Sequence, residues 1–156
     1  MKKLALILFG TLLTTTAQAG SPGGPFGLGL AGGSGVSGLS GKYYMGSTAL
    51  QGTVGINGLG NDGGGGSIGL TLDYLLEMPD IASAEPVNIA WNLGVGGALG
   101  LGDSSIGIGV AGVAGLEFNF NPVPIDVVVE YRPGLSVIPD VGLNLVNFTG
   151  HVRWYF

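Results

Sequence analysis

Eight side chains of this sequence carry charge or can move a proton from inside stretches that read as strands. They are Lys42, Asp73, Glu117, Asp126, Glu130, Arg132, His151 and Arg153. Asp126, Glu130 and Arg132 are spaced by even steps, and so are His151 and Arg153. Even spacing puts strand side chains on one face. Three cations sharing a face with carboxylates point to an ion-pair network. His151 is the sole candidate general base. A nucleophilic relay needs a serine beside it, whereas its same-face neighbour is Arg153. A lone histidine in a polar row is expected to be a hydrogen-bonded interior residue. With one His and no Cys, a multi-histidine metal centre, thiolate sites and disulfides are excluded. The Asn61-Asp62 and Gly63–Gly66 run lacks the lysine and the strand-loop-helix context of a phosphate cradle. No catalytic residue, metal site or cofactor is expected.

The elements that must hold these groups alternate with period two. Eight segments are found: Phe26–Leu30, Leu39–Met45, Leu50–Asn57, Ser67–Tyr74, Val87 to about Leu101, Ile106–Phe120, Ile125–Leu135 and about Leu143–Phe156. In the fourth, Ile68, Leu70, Leu72 and Tyr74 oppose Ser67, Gly69, Thr71 and Asp73. In the seventh, Ile125, Val127, Val129 and Tyr131 oppose Asp126, Val128, Glu130 and Arg132. Turn-rich stretches separate them: Ser34–Gly38, the Gly63–Gly66 run, Gly102–Ser105 and Asn121–Pro124. Short strands of even spacing and even total predict an all-β, antiparallel up-and-down transmembrane barrel of about eight strands. The connection from Leu75 to Pro86 is long for such a barrel. Either the fourth strand extends into it or a hairpin has been missed.

Sidedness follows from where the charges fall. Every Lys and Arg beyond residue 19, together with Asp73, Glu117, Asp126, Glu130 and His151, lies on the polar parity of its strand. The apolar parity carries none. A charge on a barrel's lipid face costs roughly 2–4 kcal/mol at the bilayer midplane, so this arrangement predicts charges inside and apolar side chains outside. The mean hydropathy of +0.51, without an unbroken helical span, agrees. Glycine is abundant, 33 residues in all. Much of it is in phase with the strands, as expected where a wall bends or side chains crowd. Tyr43, Tyr74, Trp91, Phe118, Phe120, Trp154 and Phe156 fit interfacial girdles.

The ends of the chain carry two further signals. Met1-Lys2-Lys3, apolar Leu4–Leu13 and Ala17-Gln18-Ala19 form the pattern of a cleaved signal peptide over residues 1–19, leaving 20–156 as one barrel domain. That portion has 3 basic and 10 acidic residues, a net charge of −7, which argues against nucleic acid as a partner. The last strand places Phe148, Val152, Trp154 and Phe156 in one apolar row.

On Phe26–Leu30, Gly38–Tyr44, Leu72–Tyr74, Pro124–Leu135 and Arg153–Phe156, the chain resembles small eight-stranded Gram-negative outer-membrane barrels. These are of the sort of OmpX, OmpW and the OmpA membrane domain, and more narrowly an uncharacterised family of small outer-membrane barrels. The resemblance implies location in the outer membrane, contact with its lipid, and recognition of Phe148, Val152, Trp154 and Phe156 by the barrel-assembly machinery. It implies periplasmic termini and supplies no catalytic residues. The expected function is a structural or envelope-maintenance role, with the lumen plugged by charged side chains. A narrow pore or small-molecule carrier is the alternative, and a lipid-modifying enzyme comes third.

Overall fold

The computed structural model describes residues 22–57, 67–103 and 105–156. The expected signal peptide and the Gly63–Gly66 loop lie outside these residues. The described elements are all strands: β1 Phe26–Gly33, β2 Val36–Tyr44, β3 Thr48–Asn57, β4 Ile68–Glu77, β5 Ala82–Ala84, β6 Val87–Leu101, β7 Ile106–Phe120, β8 Ile125–Tyr131, β9 Gly134–Ile138, β10 Gly142–Asn144 and β11 Phe148–Tyr155.

These strands make a closed barrel of eight antiparallel staves. Neighbours follow chain order through β1, β2, β3, β4, β6, β7, β8 and β11, and β11 pairs back onto β1 through Gly27↔Tyr155 to Gly33↔Thr149. β8 and β9 are one stave interrupted at Arg132-Pro133. Both pair with β7 in one register from Tyr131↔Ala114 through Gly134↔Ala111 to Ser136↔Gly109, with a shift at the end, where Ile138 meets Ile108. Proline has no N–H to give the ladder, and here the Pro133 carbonyl still accepts from Gly112 N–H at 2.9 Å. β10 and β11 form the last stave, broken over residues 145–147, with a one-residue offset in their pairing to the β8–β9 stave. Closure leaves no long unpaired edge, which is how an antiparallel sheet avoids pairing with other chains.

The eight expected segments all occur, with shifted bounds. The expected Ser34–Gly38 turn is only Ser34-Gly35, because Val36 to Gly38 already pair with Asn57 to Gly55. The long connection resolves both ways: β4 runs three residues past Tyr74 to Glu77, and β5 forms a short hairpin on the start of β6. Neither adds a stave. The tight β2–β3 turn uses Gly46 at φ +81°, a left-handed conformation that side-chain-bearing residues avoid.

Alternation sets the two faces. Leu30, Leu72, Val95, Val129 and Val152 point out and are exposed, while Lys42, Gln51, Asp73, Asn92, Glu117, Asp126, Glu130 and Arg153 are buried inside. Inward glycine marks the sharply bent wall. A Cβ on Gly55 would run into the backbone of Ser37 and Gly38, one strand away. Only glycine permits that approach.

Candidate functional site

The site is the lumen. Its charged layer lies toward the end that carries both termini, since β1 starts and β11 finishes there. The ion-pair members are inward residues of five staves, Lys42 on β2, Asp73 and Glu77 on β4, Glu117 on β7, Asp126, Glu130 and Arg132 on the β8–β9 stave, and His151 and Arg153 on β11, held by the strand ladder.

Two connected groups fill this layer. In the first, Lys42 Nζ donates to Glu117 and lies 2.7 Å from Glu77 Oε1. Tyr44 Oη donates to Glu117 Oε2 at 3.0 Å, and Asn92 Nδ2 donates to Glu117 Oε1. The ammonium also lies 4.5 Å from the centre of the Tyr44 ring, a cation–π distance. In the second group, Arg153 Nε and Nη2 donate to Asp126, the Nη2 bond being 2.9 Å, and Nη1 donates to Gln51 Oε1. Tyr155 Oη donates to Asp126 Oδ2 at 2.7 Å. Gln51 Nε2 donates to Glu130 Oε1 at 2.8 Å. Arg132 takes Asp73 as a two-toothed partner, Nη1 to Oδ2 at 2.7 Å and Nη2 to Oδ1 at 2.8 Å, and reaches Glu130 at 3.3 Å. The groups touch through Tyr44 and Tyr155, whose ring centres are 5.6 Å apart.

All eight predicted lumen residues are therefore inside and joined to partners. Buried charge is tolerable only when paired and hydrogen-bonded. Three cations, Lys42, Arg132 and Arg153, face five carboxylates, Asp73, Glu77, Glu117, Asp126 and Glu130. Glu77 was missed because the fourth strand was ended at Tyr74. It shares the parity of Asp73, so carrying the alternation three residues further finds it.

His151 has a partner that strand spacing could not show. Its Nδ1 lies 2.9 Å from Ser40 Oγ, and its Nε2 lies 3.2 Å from Glu130 Oε2. Ser40 is on β2 and His151 on β11, with β1 between them. They meet because β1 presents only Gly29 and Ala31 to the interior at that level. The chain Ser40–His151–Glu130 has the membership of a nucleophilic relay. Ser40 is 0% exposed, however, and does not line the cavity that His151 borders. Among the described residues no group of three or more His, Asp or Glu is placed to hold a metal ion.

Above the charged layer, toward the end away from the termini, the lumen holds a cavity of about 270 Å³. Arg132 and His151 form its floor, and Thr53, Thr71, Ala98 and Gly107 are among its walls. The predicted C-terminal row, Phe148, Val152, Trp154 and Phe156, is exposed on the outer face. No family model, curated protein or solved structure matches this chain.

Proposed function

We propose that this chain is an integral outer-membrane β-barrel with a structural or envelope-maintenance role, its lumen sealed by the charged layer. The observation that carries the reading is the outer wall. Across the described strands its large exposed side chains are Leu, Ile, Val and aromatic residues, and the exposed polar Ser83, Ser136 and Asn144 lie on the short strands β5, β9 and β10. The exposed acids Asp80, Glu85, Asp103 and Asp140 all lie in connections or turns. A continuous apolar belt of this extent is an aggregation hazard in water and a normal surface in lipid. Lipid is thus the main partner, with the barrel-assembly machinery acting on the Phe148, Val152, Trp154 and Phe156 row during insertion. The acidic balance disfavours nucleic acid.

A through-pore finds less support. Lys42, Glu117, Arg153 and Asp126 interlock across the lumen and are almost fully buried. An eight-stranded interior is just wide enough for side chains to fill. A catalytic role is disfavoured by the burial of Ser40.

Cell fractionation tests the location. The protein is expected in the outer membrane, migrating faster on a gel when unheated than after boiling. Recovery from the periplasm in water-soluble form would overturn the reading. Planar-bilayer recording tests the seal, where a large stable conductance would favour the pore. A deletion strain with altered envelope permeability would support the maintenance role.

A further inference from the structure

We propose that the cavity above the charged layer is a blind binding cup for a small, uncharged molecule that pairs an apolar body with a hydrogen-bond acceptor. The inference rests on the closed barrel and stands apart from the proposed membrane role.

The first observation is that the space is built. In the charged layer, side chains fill the interior, as expected for eight strands. In the cup the inward positions shrink. Thr53, Thr71, Ala98 and Gly109 follow one another across four neighbouring staves. Backbone crowding does not force this everywhere. A Cβ on Gly107 would meet nothing nearer than Ile138 O at 3.7 Å, an ordinary contact. The wall therefore has room for a side chain at Gly107 that the sequence does not provide.

The second observation is that the cup is lined with unused donors. Arg132 is 6% exposed, and its Nη1 and Nη2 are held by Asp73 and Glu130. Its Nε–H takes no part in those bonds, and Arg132 lines the cup. Thr71 Oγ1 is buried in the same lining with no hydrogen-bond partner. A buried donor without an acceptor costs about 1–3 kcal/mol, so an incoming acceptor gains by meeting it. The rest of the wall is mostly carbon.

Charge selects the ligand class. Asp73 and Glu130 already neutralise Arg132, and the layer beneath has more carboxylates than cations. An anion meets that excess negative charge, and a cation meets the guanidinium first. A neutral acceptor such as a carbonyl or amide meets neither penalty. Among the described residues the charged layer closes the end that carries the termini, which leaves entry from the other end.

The test uses the refolded barrel in detergent micelles and three probes of one shape: benzamide, benzoate and benzylamine, the last as its cation. The readout is the Arg132 Nε–H resonance. Benzamide is expected to shift it saturably, with benzoate and benzylamine weaker by about tenfold or more. Gly107→Leu should abolish the shift by filling the cup, while Gly107→Ala keeps it. Thr71→Val should weaken binding about three- to tenfold. Heat-modifiable migration verifies that each variant is folded, and Gly107→Ala preserves the test if Gly107→Leu does not fold. A non-saturating drift shows partitioning into the micelle and overturns the proposal. Undiminished binding in folded Gly107→Leu, or tighter binding of benzoate, overturns it equally.

Discussion

Along β7 the interior changes character within one strand. Near the termini its inward residues Gly115, Glu117 and Asn119 are buried, and Glu117 gathers Lys42, Tyr44 and Asn92 around it. Toward the other end Gly107, Gly109 and Ala111 line open space. The outer face changes too. Tyr43, Tyr74, Trp91, Phe118 and Trp154 surround the charged half, and Ile56, Ile68, Leu101 and Ile106 surround the cup. The same staves thus build a filled, polar, interlocked half and a hollow, small-residue half. The ladder fixes the backbone in both, so side-chain volume and charge decide which half is rigid and which has room.

The largest break of this contrast should come from the filled half. Arg153→Ala removes the guanidinium that holds Asp126 and Gln51. It leaves a buried carboxylate with only Tyr155 as donor, at about 3–5 kcal/mol. Urea unfolding from lipid vesicles measures it. A loss under about 1 kcal/mol would mean that the layer is wet or adaptable, since only exposed pairs are worth so little.

Next in size is the contrast between faces. Val95→Arg and Ala98→Arg lie on one strand, outward and inward. If lipid surrounds the wall, Val95→Arg should cost roughly 2–4 kcal/mol near the midplane. Ala98→Arg enters the cup, where it meets Arg132 but stays out of lipid with the open mouth beside it, and should cost clearly less. Folding yield into vesicles ranks the two, and the reverse ranking would exchange inside and outside.

Glycine gives a finer test. Gly55→Ala forces a Cβ against the Ser37 and Gly38 backbone and should cost about 1–3 kcal/mol, the usual penalty of overpacking. Gly107→Ala has room and should stay within about 0.5 kcal/mol. Equal costs would mean that the cup wall is as crowded as the bend.

The smallest expected effect is on a hydroxyl. Thr71→Val removes a buried oxygen that has no partner. It should leave stability unchanged or raise it by up to about 1 kcal/mol. A clear loss in the same unfolding assay would reveal a bond at Thr71 and remove one support of the cup.

Period-two alternation by itself determined the staves, their faces and all the buried charges except Glu77. A one-residue step switches faces, so Asp126, Glu130 and Arg132 had to share a side, as did His151 and Arg153. Strand ends were less legible. Glu77 lay past Leu75-Leu76, where apolar residues on both parities break the alternation, and ladder pairing with Asn92 carried the strand on. What only the tertiary structure decided is who meets whom across the lumen. Ser40 and His151 are far apart in the chain and separated by β1, and they touch because barrel curvature and the small residues of β1 let side chains cross above it. The cup has the same origin. Sequence shows glycine in phase with the strands, but whether a glycine marks a tight bend, as at Gly55, or leaves room, as at Gly107, depends on the distance to the facing backbone. That distance is set by closure of the whole sheet.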